Sequence, residues 1–173
     1  MIRTARLILR PWRKSDLPPF AKQNSDPAVM QSLGGVLSRD ESDAYVERAE
    51  RHLLETGFCP WAVKAPGVSP LIGAVGLKRI EFEASFTPAV EVAWRLHRPY
   101  WGQGYATEAA RAAIDDGFRR VGLREIIAMT ALLNTVSIRV MEQLGMVRSI
   151  EFDHPKCLEG SPLRRHVLYR LRI

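Results

Sequence analysis

The sequence has no apolar stretch approaching the ~18 residues that a membrane span requires. Its start also lacks the continuous apolar segment of a secretory signal. Met1 to Arg10 instead alternates Ile2, Leu7 and Leu9 with Arg3, Arg6 and Arg10. A cytoplasmic location with no membrane partner is therefore expected. Cysteine is scarce: Cys59 and Cys157 are the only two in 173 residues. They form no CxxC pair, so no metal is expected, and in a reducing compartment both should be free thiols. Cys59 precedes Pro60 and Trp61 at the start of a predicted strand and reads as a packing residue. Repeats, low-complexity tracts and linkers are absent too. Residues 1–173 thus read as one domain, long enough to bury a core without disulfide or metal staples.

The charge balance is basic, with a formal net charge of +6. Such a surplus favours anionic partners. The arginines are scattered, and no basic run is interleaved with aromatics, so nucleic acid is an unlikely partner. A small ligand carrying several phosphates is another anionic partner, and a solvated basic surface accounts for most of the charges.

Alternation predicts a strand within TARLILRPW, Thr4 to Trp12, ended by Pro11. Ser15 and Asp16 can cap a helix that tolerates Pro18 and Pro19 in its opening turn and stops before Pro27. Ser38 and Glu41 form a capping box for a second helix running to Gly57. Strands follow at Trp61 to Lys64 and Leu71 to Leu77, joined by a turn at Pro66-Gly67. AVEVAWRL, Ala89 to Leu96, is the clearest strand. After RPYWGQG the period becomes helical through Ala106, Ala109, Ala110, Ala113 and Ile114, up to Gly122. A strand at Glu125 to Ala131, a helix at Thr135 to Leu144, and strands at Met146 to Phe152 and Arg164 to Ile173 complete the chain. This order predicts a mixed α/β domain: a mostly antiparallel sheet holding a central parallel β-α-β unit with a right-handed crossover.

The strand AVEVAWRL, the turn and the alanine-rich helix carry the strongest chemical signal. A helix N-terminus offers unpaired N–H groups and the positive end of a dipole. Glycines before it let a ligand approach the backbone, so the turn reads as a phosphate cradle. A dinucleotide fingerprint is incomplete, because position 107 is Thr rather than Gly, and no P-loop Gly-Lys-Ser/Thr is present. Downstream, Asn134 stands at a strand end as a helix cap, with Ser137 three residues on.

WGQGYATEA together with NTVSIRVMEQLGM resembles the GNAT acyltransferase superfamily, and TARLILRPW resembles its Rim-type branch, which includes ribosomal-protein N-terminal acetyltransferases. The likeness runs from Thr4 to Tyr169. It implies a sheet splayed around acyl-CoA with helices on both faces, acetyl-CoA as co-substrate, and a primary amine as acceptor, either a protein N-terminus or a small molecule. The family's Gln/Arg-x-x-Gly-x-Gly/Ala loop maps to Trp101, Gly104 and Ala106, with Trp101 departing from the pattern. The resemblance implies cofactor contacts from Trp94, Arg95 and Leu96 along the pantetheine, from Trp101, Gly102, Gln103, Gly104, Tyr105, Ala106 and Thr107 at the pyrophosphate, and from Asn134. Ser137 would lie near the thioester sulfur, where its hydroxyl can assist the leaving thiolate.

Direct attack also needs a base. Glu91, on the strand leading into the loop, is the first candidate. His154 and His166 come next, His97 reads as shaping the turn, and Glu83 is weaker. Two other readings remain at this point: a noncatalytic acyl-CoA-binding sensor, and a nucleotide-dependent oxidoreductase. A homodimer is left open.

Overall fold

The computed structural model describes all 173 residues. β1 (Ile2–Arg3) and β2 (Ile8–Arg10) form a short antiparallel hairpin rather than one strand from Thr4. The reason is local. The Thr4 hydroxyl accepts the Leu7 N–H at 2.8 Å while the Thr4 N–H donates to the Leu7 carbonyl at 3.0 Å, folding the chain back on itself.

Asp16 begins α1 (Leu17–Asn24) but makes no side-chain cap. Its carboxylate instead accepts two hydrogen bonds from the Arg10 guanidinium, at 2.6 and 2.7 Å, and one from the Arg13 N–H at 2.8 Å. Both partners are buried, Asp16 to 2% exposure, and Arg10 also donates to the Pro70 carbonyl. The pair ties the hairpin to the first helix and the central sheet. A one-turn helix that the sequence pattern does not announce, α2 (Pro27–Met30), follows. The Asp26 side chain caps it by accepting the Ala28 N–H, with Pro27 at its first position. α3 (Arg39–Thr56) opens on the expected Ser38–Glu41 box and closes at Gly57, whose φ is 78°.

β3 (Pro60–Ala65) and β4 (Ser69–Arg79) make a hairpin, and β5 (Val90–Leu96) pairs with β4 along its whole length. α4 (Tyr105–Asp116) runs on as a π turn over Gly117–Val121. A Cβ on Gly117 would lie 2.6 Å from Leu77 Cδ1, so glycine lets the helix close onto β4 here. β6 (Glu125–Ala131), α5 (Thr135–Gln143), β7 (Val147–Asp153) and β8 (Arg165–Arg172) follow. The sheet order is β1-β2-β3-β4-β5-β6-β8-β7, and every pair is antiparallel except β5 with β6. The fold is the expected mixed α/β arrangement. Val92 and Leu96 of β5 pack with Ala109, Ala113 and Ile114 of α4, while α1 and α3 cover the other face, where Phe20 packs between Trp12 and Tyr45.

The Arg10–Asp16 pair yields a stability test. Asp16→Ala leaves a buried guanidinium without its counterion, and urea unfolding should show a loss of about 3–5 kcal/mol. A loss under ~1 kcal/mol would mean that Asp16 serves only as a helix-start residue.

Candidate active site

β5 and β6 touch at one point. Their only bridge is Glu91 with Ile127, after which the strands part. His97 donates to Ile72 and Ile80 to Ala89, so the odd-numbered residues of β5 exchange hydrogen bonds with β4. The even-numbered amides turn the other way. Those of Trp94 and Leu96, beyond the bridge, face an open gap with no strand across it. The gap widens toward the carboxyl ends of both strands, where α4 and α5 begin.

The turn between β5 and α4 is fastened from three sides. Trp101 Nε1 donates to the Leu96 carbonyl at 2.8 Å, which gives the indole a structural task in the loop. Gln103 Nε2 donates to the Pro99 carbonyl at 2.9 Å. Arg6 donates to the Gln103 carbonyl at 2.9 Å, pairs with Glu108 at 2.6 Å, and lies 4.7 Å over the Tyr105 ring. Gly102 and Gly104 have φ of 71° and 76°, a backbone that other residues rarely adopt. The first-turn amides of Tyr105, Ala106 and Thr107 have no partner within the helix. Tyr105 turns its side chain into the core, and the Thr107 hydroxyl donates to Gln143 of α5 at 2.9 Å.

Across the gap, Asn134 caps α5 by accepting the Ser137 N–H at 3.2 Å. Ser137 Oγ accepts from Asn134 Nδ2 at 3.0 Å and from Trp94 Nε1 at 3.3 Å. Two donors occupy its lone pairs, which leaves the hydroxyl proton free to be donated.

The opposite face of the sheet holds a cavity of about 660 Å³, a size suited to a small molecule. Glu91, Arg95, Met129, His154 and His166 line it, with Lys78 beside Glu91. Glu91 is 7% exposed, and its Oε2 lies 3.1 Å from Lys78 Nζ in an ionic contact whose angles miss a hydrogen bond. The Glu91 charge pushes the Lys78 pKa up. The His154 and His166 rings are 4.7 Å apart. Burial first, then His166, Lys156 and Lys78, drop the His154 pKa to about 4. Burial also lowers that of His166, partly offset by a backbone hydrogen bond and by Glu91. Both imidazoles are therefore neutral at pH 7.

The chain as a whole is similar to known proteins. Residues 6–147 match the acetyltransferase (GNAT) domain family. The chain belongs to the GNAT family. It is 30% identical to the uncharacterized N-acetyltransferase YnaD of Bacillus subtilis over 158 residues, covering 91% of this chain and 87% of YnaD. A GNAT-family acetyltransferase from Bacillus anthracis superposes with a TM-score of 0.80 at 26% identity, over 99% of this chain and 97% of that one. RimL, a ribosomal L7/L12 α-N-protein acetyltransferase solved with coenzyme A, superposes with a TM-score of 0.78 at 19% identity, over 98% and 96% of the two chains. This GNAT protein is an acyltransferase enzyme.

The structure brings Trp94, Leu96, Asn134 and Ser137 together around the gap, and sets Gly102 to Thr107 at its open end. Arg95 extends its side chain away from the gap: its Nη1 donates to Asn24 of α1 at 2.8 Å, and its guanidinium lies 5.1 Å from the Tyr45 ring. His97 packs edge-on to Tyr100 and stands outside the cavity, as does exposed Glu83. Buried Cys59 has its thiol pushed up to about 12, chiefly by desolvation, which makes it unreactive. Sequence reasoning missed Lys78 and Arg6. Lys78 faces Glu91 only through strand register, and Arg6 reaches its loop across 97 residues of sequence.

The imidazole shift sets a pH dependence. A His whose folded pKa lies below its ordinary 6.5 contributes stability that is fully present above pH 6.5 and is lost as pH falls toward about 4. The pH dependence of unfolding free energy across that window should be shallower in His154→Gln than in the native chain. An unchanged slope would place the acid sensitivity elsewhere.

Proposed function

We propose that this chain transfers an acetyl group from acetyl-CoA to a primary amine by direct attack, with residues 1–173 acting as one N-acyltransferase domain. The observation that carries the reading is the parting of β5 from β6 at Glu91, where the gap on one face and the cavity on the other meet at one carboxylate. The residues present fit the co-substrate. Unpaired amides at the start of α4 suit a pyrophosphate, that of Leu96 suits an amide-bearing arm, and Asn134 and Ser137 stand opposite. Acetyl-CoA supplies the activated acyl group.

The chain's residues then have four tasks. The gap and cavity hold the two reactants in one geometry, which can lower the barrier by up to ~7–11 kcal/mol. The Trp94 N–H is suited to polarise the thioester carbonyl. Glu91 accepts the proton that the attacking nitrogen gives up as its bond to the acyl carbon forms. Ser137 donates its free hydroxyl proton toward the sulfur as the carbon–sulfur bond breaks. Neighbouring Lys78 and Arg95 disfavour an ammonium in the cavity and so favour delivery of the neutral amine. His166 is the next base in line. A noncatalytic sensor would have no use for a cavity opening on Glu91. The TARLILRPW opening supports a place in the Rim-type branch, and the RimL likeness supports the fold of that branch.

Incubation with acetyl-CoA and an amine panel should release free thiol. Glu91→Gln should lower turnover by roughly 10²-fold near neutral pH. The deficit should shrink as pH approaches the acceptor's pKa, because more amine then arrives deprotonated. A full rate in the variant, or a loss independent of pH with an earlier thermal melt, would remove Glu91 from the chemistry.

A further inference from the structure

Arg95 is a cation of the acceptor cavity with a buried, unpartnered nitrogen and no acid to neutralise it. Its side chain lies two residues beyond Ala93 on the face that carries Glu91, with Asn24 and the Tyr45 ring holding it in place. Its Nε is buried and has no hydrogen-bond partner. Nη1 has a neutral partner, Asn24, and no carboxylate comes within ion-pair distance of the group. Burial lowers its pKa, so the surroundings do not compensate its charge. The same cavity carries Arg48, Lys78, Arg79 and Lys156 against two carboxylates, Glu81 and Glu91, and Glu91 already faces Lys78. An uncompensated guanidinium held in place costs folding free energy unless a ligand completes it, and arginine is well suited to carboxylate and phosphate oxygens.

We infer that the acceptor is a small amine that also bears an anionic group, and that Arg95 receives that group while the amine sits at Glu91. This rests on the transferase reading above and narrows its substrate class. The cavity would disfavour polyamines and other polycations, which meet Arg48, Lys78, Arg79 and Arg95 with like charge. Arg95 is then a specificity residue: it touches the acceptor but takes no part in bond making.

The test compares matched acceptors with acetyl-CoA in a thiol-release assay. Each amino acid is paired with the amine left by removing its carboxylate and with its methyl ester. Aminoalkyl phosphates form a second arm, diamines and polyamines a third, and short C-terminally amidated peptides with neutral side chains a fourth. The native enzyme should prefer the anionic member of each pair by at least ~10-fold in kcat/KM, about 1.4 kcal/mol. The carboxylate and phosphate arms tell which anion is taken. Arg95→Met should abolish the preference mainly through KM, and Arg95→Lys should restore part of it. A thermal melt checks that the variants fold, and the pairwise comparison on the native enzyme stands without them. Equal rates within the pairs, or better rates with polyamines or peptides, overturn the inference while leaving amine acetylation intact. A preference that survives in a folded Arg95→Met protein overturns it as well. Acetyl-CoA binding with no thiol release from any amine would remove the transferase reading itself.

Discussion

The molecule depends on where two neighbouring parallel strands stop sharing hydrogen bonds. β5 is held on its other side by β4 over its full length, and β6 by β8, so neither strand needs its neighbour to stay extended. They meet at Glu91 and Ile127 and then diverge. Backbone amides left without partners inside a protein are costly unless water or a ligand completes them. Here the unpaired amides belong to Trp94 and Leu96, and two helix N-termini stand at the same open end. The result is a slot whose unpaired amides suit an extended polar chain. The surroundings are correspondingly stiff: Trp101 pins the loop to β5, Arg6 holds it from the N-terminal hairpin, and Thr107 links α4 to α5.

Much of this is legible in the sequence. The capping box at Ser38 and Glu41, the alternation in AVEVAWRL and the change of period after Gly104 are local patterns, and local patterns are what a sequence displays directly. At Thr4 the alternation of the sequence suggests a strand, and the turn-forming hydroxyl overrides it. Asp16 has the sequence position of a cap, because a helix start attracts acidic residues, whereas its carboxylate serves Arg10. The cavity on the α1 and α3 face is the least legible part. Its walls come from α3, β4, β5, β6, β8 and the 154–163 loop, and no single window of sequence shows that Lys78, Glu91, Arg95 and His166 face one another. Arg95 was expected at the gap because its backbone lies there; strand alternation sends its side chain to the other face.

The two faces of β5 thus carry different chemistry on alternating residues. Trp94 reaches Ser137 on the helix α5 side, while Glu91 and Arg95 reach the cavity on the α1 and α3 side. The gap is the passage between them. One strand can therefore present backbone amides to one reactant and charged side chains to the other, which is an economical way to align a bimolecular reaction. The cationic side chains of the cavity disfavour a protonated amine near Glu91.

The central claim concerns the amides beyond the Glu91–Ile127 bridge, and residue-resolved amide hydrogen exchange tests it most directly. In the free protein, the N–H groups of Trp94 and Leu96 should exchange faster than those of Ala93 and Arg95, which β4 engages. Saturating acetyl-CoA should slow Trp94 and Leu96 and leave Ala93 and Arg95 nearly unchanged. Uniform protection along β5 in the free protein, or no slowing of Trp94 and Leu96 when acetyl-CoA binds, would contradict the account.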